Sequence, residues 1–410
     1  MRTERDFLGK YEIPDDVYYG INSARGQENF YISDDKADPD LIKTMVWVKK
    51  SCAAANLECG SLDKKIADAI MKVCGFIADG GYEDQFIVNP IQGGGGTSFN
   101  MNANEVIANC ALEYLDYEMG SYHIIDPLTH VNMSQSTNDV FPTALNLALI
   151  IKSETLVDMV CETADRLLEK SREFETVMKM GRTHLNAASP ISFGQCFDAY
   201  ASVVSRDAGR IHEAVDRLRY VPLGGTVVGT GLNTTPEYRE AVIVKLRNIS
   251  GINVEACQNL ADGIQNVDAY VSLSSAFKSC MLDLSKIASD LRLSGSYPPH
   301  GLGDLRLPPR QMGSSIIPDK VNPVIAELIN QVSFLVCGYD LAISMAAQAG
   351  QFELNVFKPT ISYCLLKSTD MMAEAIYKFN EYCLKETKVL NTGKDGIEHE
   401  ERKQPHLRAV

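Results

Sequence analysis

A mainly α-helical protein, built around a bundle of long helices with a smaller mixed N-terminal domain, is what three features of the sequence predict. Glycine and proline are absent from three long stretches, 143–180, 264–294 and 360–392, so the chain is free to run there as uninterrupted helix. Within the second stretch Tyr270, Leu273, Phe277, Cys280, Leu284, Ile287 and Leu291 recur at alternating steps of three and four, the seam of a packed helix. The third stretch repeats the pattern with Ile361, Leu365, Met372, Ile376, Phe379 and Cys383. Helices near 30 residues far exceed the globular mean of about 12, and only long partners bury such stripes along their whole length.

Taken in order, residues 1–137 are more broken, with Pro14, Pro90 and the tetraglycine at 93–96, and are expected to form the N-terminal, mainly helical domain. Residues 138–390 are expected to form the central bundle, and 391–410, charged and without an apolar stripe, a solvated tail. Inside the bundle lies 295–323, too rich in proline and glycine for a helix or an inner strand. An irregular segment this long in a compact domain points to function rather than to a simple link.

Composition excludes several classes. Hydrophobic residues make up 45% and charged residues 22%, the balance of a globular chain. Lys and Arg number 39 against 53 Asp and Glu, a net charge of −14, which repels a polyanion and argues against nucleic acid as a partner. The longest strongly apolar stretch, 144–151 with Asn146 inside it, is far short of the roughly 20 residues that span a bilayer, so no membrane partner is expected. The charged start of the chain lacks a signal core. Eleven cysteines are scattered without a CxxC or zinc spacing, which reads as reduced, mostly buried thiols of a cytoplasmic protein. No metal and no cofactor are expected, since His123, His130, His212 and His300 lack ligand spacing and the tetraglycine lacks the lysine of a phosphate loop.

The irregular segment carries Gly313, Ser314, Ser315, Ile316, Ile317, Pro318, Asp319, Lys320, Val321, Asn322 and Pro323. Hydroxyls, a cation and an amide in one short loop suit a carboxylate ligand. Almost letter for letter, the run resembles the GSSxMPxKxNP signature of the aspartase/fumarase superfamily, departing at Ile317, where methionine is usual. Thr97 through Asn102, Ser134 through Asp139, Gly181 through Leu185, Gly224 through Asn233 and Gln351 through Asn355 match other conserved segments of that family, and the resemblance runs from about residue 4 to about 385.

The resemblance implies a lyase that takes a proton from the carbon beside a carboxylate and expels an amine or alcohol through an aci-carboxylate. Its catalytic positions fall on Ser314, as the base, and His184, a rival base or a substrate-handling group. Its substrate-binding positions fall on Thr97, Ser136, Thr137, Asn138, Thr183, Ser315, Lys320 and Asn322. A small dicarboxylate is the implied partner, and a homotetramer with sites shared between subunits the implied assembly. Phe7 through Pro14, Gln92 through Ser98 and Thr137 look like the branch acting on L-aspartate, whereas Gly224 to Thr226 and Glu353 to Phe357 look fumarase-like. Release of ammonia from aspartate is the expected reaction, with malate/fumarate hydration as the alternative. The family usually continues past the bundle into a small C-terminal domain, which is expected to be missing here. That raises a third reading, a catalytically weak paralogue with a structural role.

Overall fold

In the computed structural model the described residues are 1–298, 300–317 and 320–390, so the tail expected at 391–410 lies outside them. The chain opens with an antiparallel hairpin, β1 (Arg2–Asp6) and β2 (Gly9–Ile13). Helices α1 (Ile21–Phe30), α2 (Pro39–Glu58), α3 (Lys64–Ala78) and α4 (Thr97–Tyr114) follow. Asp38 and Asp63 start α2 and α3, each accepting two N–H groups of the first turn. The first N–H groups of α1 are received from afar: Glu105 accepts from Gly20, Asn22 and Ser23, and Glu4 from Ile21.

Further helices, single helical turns and short strands continue the chain. A single π-helical turn, Pro127–Val131, precedes α5 (Thr137–Glu173). Strands β3 (Met178–Thr183) and β4 (Asn186–Ser192) form a second hairpin, and α6 (Phe193–Asp216) follows. Next come β5 (Tyr220–Val221), α7 (Pro236–Ser250), β6 (Glu255–Ala256), α8 (Leu260–Gln265) and α9 (Asp268–Ser294). After the irregular segment, which contains β7 (Leu305–Arg306), come α10 (Val324–Gln348) and α11 (Lys358–Phe379). A π-helical turn, Asn380–Leu384, and β8 (Lys388–Val389) end the described chain.

The mainly helical class holds, and the two seams read from the sequence are buried throughout: every residue from Tyr270 to Leu291 and from Ile361 to Cys383 in those stripes is at most 4% exposed. Three boundaries moved. The first long helix begins at Thr137 and accommodates Pro142. Pro142 is the sixth residue of this helix, so it removes the N–H that would pair with the carbonyl of Asn138, a loss the helix carries inside its own length. It also ends at Glu173, because the chain then turns into the β3–β4 hairpin, and α11 ends at Phe379 rather than continuing to 392. Helix α10 was not anticipated. It is long and apolar enough to cross a membrane by length and composition, although only 39% of its apolar window is buried within this chain. A search for unbroken apolar runs passes over it because Glu327, Asn330, Gln331 and Asp340 interrupt its aliphatic residues.

The chain divides into two compact units, one made of Met1–Met159, Arg206–Met281 and Val332–Glu374, the other of Val160–Ser205, Leu282–Gln331 and the chain from Ala375 on. In the first, α2 packs against α3, α4 and α7, and α4 also receives α1 and α3. Met45, Val46, Ile70, Ala103, Ile107 and Leu145 are fully buried there. In the second, Phe174 meets Phe197 edge to face, β7 pairs with β8, and Asn330 donates to the carbonyl of Ser285.

Candidate active site

The candidate residues of the first unit cluster where two helices begin. Thr97 and Thr137 are the first residues of α4 and α5, so each lies beside N–H groups that have no partner within the helix. The helix dipole favours an anion at such ends, although here the N–H groups of Thr97, Phe99 and Asn138 are already given to Gly94 O, Gln92 Oε1 and Ser136 Oγ. Asn100 ties the two ends together by donating from Nδ2 to Thr137 Oγ1 at 3.0 Å. The tetraglycine delivers the chain to Thr97 through three left-handed residues, Gly94, Gly95 and Gly96, with φ of 82°, 67° and 98°. A Cβ on Gly96 would stand 2.6 Å from the Phe141 ring. Close packing against that ring explains the glycine better than a phosphate ligand does.

Ser136 and Asn138 flank Thr137 and are oriented by it and by a buried carboxylate. Asp139, fully buried, accepts the N–H groups of Ser136 at 2.9 Å and of Gly224 and Thr226 at 3.0 Å each. Burial is the largest influence on Asp139 and raises its pKa to about 6, opposed by those three N–H groups. Asn138 donates from Nδ2 to the Val227 carbonyl at 2.7 Å, and Ser136 Oγ accepts the Asn138 N–H at 3.2 Å. The glycine-rich segment 224–233 is thereby strapped to the start of α5.

In the second unit, Thr183 and His184 sit at the tip of the β3–β4 hairpin. Thr183 pairs with Asn186, leaving His184 and Leu185 as a two-residue turn with φ of 54° and 60°. That is the twist of a tight hairpin turn, usually filled by Asn and Gly, and a β-carbon at both positions stores strain on the order of 1–2 kcal/mol each. Strain kept at an exposed histidine is a mark of a working site. Arg182, just before the tip, forms a fork with Asp304 of the irregular segment at 2.5 and 3.2 Å.

The loop with Ser314 is closed on itself. The Gly313 N–H donates to the Lys320 carbonyl at 2.8 Å, and Asn322 donates from Nδ2 to the Gly313 carbonyl at 2.7 Å. A side chain on Gly313 would strike Lys320 O at 2.6 Å. Ser314 is half-buried, and its Oγ accepts the N–H groups of Ile316 at 3.2 Å and Ile317 at 3.0 Å. Two backbone donors already aimed at a serine oxygen are what a developing oxyanion requires. Ser315 and Lys320 are exposed, and among the described residues the Lys320 ammonium forms no hydrogen bond to Ser314.

A family model described as Lyase matches residues 9–338. The chain belongs to the aspartase/fumarase superfamily of lyases. It is 50% identical over 385 residues to a Bacillus sp. protein named aspartate ammonia-lyase, covering 94% of this chain and 82% of that one. Among solved structures, fumarate lyase:delta crystallin from Brucella melitensis, bound to cobalt, superposes with a TM-score of 0.93 at 44% identity, covering 95% of this chain and 85% of that one. A recombinant class II fumarase from Schistosoma mansoni gives the same TM-score and coverage at 31% identity.

Sequence reasoning about this superfamily member quoted Asn100, Gln135 and Asp139 within motifs but gave them no role, and passed over Lys49 and Asn132 altogether. A signal for Lys49 was present: it follows Met45 by four residues and precedes Cys52 by three, a lysine on a buried stripe. Six of the eleven cysteines are buried, four half-buried and Cys161 exposed.

Proposed function

We propose that the protein is an ammonia-lyase that converts L-aspartate reversibly to fumarate and ammonia. Its likeness to proteins named aspartate ammonia-lyase, at 41–50% identity over 94% of the chain, carries the choice of substrate. Malate hydration is the weaker alternative, since the fumarase it resembles is 31% identical.

The chemistry follows from the donors. One substrate carboxylate is received at the starts of α4 and α5, where Thr97, Ser136, Thr137 and Asn138 supply side-chain donors at the positive ends of the helix dipoles. Ser314, as an alkoxide held by the N–H groups of Ile316 and Ile317, takes the β-proton. The electron pair of that C–H bond spreads into the adjacent carboxylate as the aci form, then returns to make the double bond as the C–N bond breaks and ammonia leaves. Thr183, His184, Ser315, Lys320 and Asn322 surround the substrate, with the cation of Lys320 favouring the doubly charged intermediate. Incubation with L-aspartate and with L-malate, following fumarate absorbance, tests this. Fumarate from malate alone replaces the reading with fumarase, and fumarate from neither supports the weak-paralogue reading.

A cytoplasmic homotetramer with sites assembled from several subunits completes the proposal. Its support is α10, which exposes Phe334 (67%), Leu341 (62%), Leu335 and Met345, an apolar face that isolated chains rarely leave in water. Ser314→Ala and His184→Ala proteins, each nearly inactive, are unfolded, mixed equally and refolded. Random assembly of shared sites returns about a quarter of wild-type activity, and no recovery contradicts sharing.

A further inference from the structure

A cation that the proposed reaction does not use lies beneath the start of α5. Lys49, on α2, is fully buried. Its ammonium donates to Asn100 Oδ1 at 2.5 Å, Asn132 Oδ1 at 2.9 Å and Gln135 Oε1 at 2.9 Å. Three donors meet three acceptors, all of them neutral amides, and among the described residues Lys49 forms no ion pair. Burial pulls its pKa down to about 7, opposed by Cys52, Asp139 and Cys74. A buried ammonium without a counter-ion in contact is costly, and a methionine would fill the same space without that cost.

What the ammonium adds is direction. Its three N–H bonds all go to amide oxygens, so each neighbouring amide turns its oxygen inward. Asn100 then has only its NH₂ group to offer on the other side, and that group donates to Thr137 Oγ1 at 3.0 Å and to Asn132 Oδ1 at 3.2 Å. A threonine hydroxyl has one proton. Because its oxygen is occupied as an acceptor from Asn100, the proton is left to donate elsewhere.

We propose that Lys49 is a positioning residue whose ammonium, acting through Asn100, fixes the Thr137 hydroxyl as a hydrogen-bond donor to the substrate carboxylate. The assignment rests on the dicarboxylate reading of the site. A purely structural lysine would fill its pocket and satisfy the three amide oxygens without caring which way the Thr137 proton points.

Asn100→Asp separates the two. The aspartate keeps the size of asparagine and pairs with Lys49 through one oxygen, which favours folding. Its other oxygen accepts from Thr137 and turns that proton inward. The relay predicts an unchanged thermal midpoint and a fall in kcat/KM for L-aspartate of about 10- to 100-fold, carried mainly by KM. In a Thr137→Val background the same change should cost less than about threefold, because there is no proton left to turn. Lys49→Met, which frees Asn100 to flip, should show the same loss and the same dependence on Thr137. An effect of Asn100→Asp below twofold, or equal losses with and without the Thr137 hydroxyl, overturns the relay. Wild-type turnover of L-aspartate is measured first. If it is absent, the ammonia-lyase reading fails on its own, and the cycle is read instead in succinate affinity by calorimetry, where the same pattern is required; a wild-type protein that binds no succinate overturns the relay as well.

Discussion

The turn at 136–139 and the loop at 313–322 both gather donors, but they are held by different parts of the molecule. The turn stands on buried groups: Asp139 takes three backbone N–H groups from beneath, and Asn100 fastens Thr137. The loop is closed by contacts within its own span, Gly313 to Lys320 and Asn322 to Gly313, and exposes Ser315, Ile316 and Lys320. A binding surface that must fit the substrate before reaction gains from a rigid base. A base whose hydroxyl has to be ionised gains from a loop free to close and exclude water. On this reading, substitutions in the loop should damage rate without damaging stability, whereas those beneath the turn should also alter stability wherever they remove or add a buried charge or leave a buried group unpaired.

The largest effect expected is that of Ser314→Ala. Removing a base acts in the transition state, so kcat should fall by about 10³-fold or more while succinate affinity stays within a few-fold. The thermal midpoint should move by no more than about 2 °C, since a half-buried hydroxyl in a self-closed loop leaves little core behind it. A variant that kept a tenth of the wild-type rate would transfer the role of base to His184 or another group.

Next is Gly96→Ala, which forces a left-handed residue with φ of 98° to carry a methyl 2.6 Å from the Phe141 ring. A loss of about 2–4 kcal/mol in urea unfolding is expected, combining backbone strain with overpacking. An effect under 1 kcal/mol would show that the start of α4 is not braced by the core.

The smallest is a pH effect at Asp139. Burial raises its pKa from 3.8 to about 6 in the folded protein, so folding favours the protonated acid. The stability it contributes is complete below about pH 4 and is lost as pH rises through about 6. Asp139→Asn removes that titration, so the stability of the variant relative to wild type should improve by on the order of 1–2 kcal/mol between pH 5 and pH 7. Urea midpoints measured across that range check it, and a difference that stays constant would mean Asp139 does not titrate there.

The helical class, the buried seams and the positions of the donors were legible because they are local: a stripe at steps of three and four needs only its own sequence, and a motif is read as a string. The start of α5 and the end of α11 differ from the limits of the proline- and glycine-free stretches because α5 runs through Pro142 and α11 gives way to a π-helical turn at Asn380, limits that composition does not mark. Helix α10 lies outside the glycine- and proline-free stretches because Gly338 interrupts it, a residue that a packed helix tolerates.

By itself, then, the sequence determined which residues can donate to a carboxylate and on which kinds of element they sit. Tertiary structure alone decided that Lys49 of α2, Asn100 of α4, and Asn132 and Gln135 just ahead of α5 meet in one buried network under Thr137. The reason is physical. The direction of a hydrogen bond is set by what lies on the far side of each group, and for Asn100 that neighbour is 51 residues away along the chain.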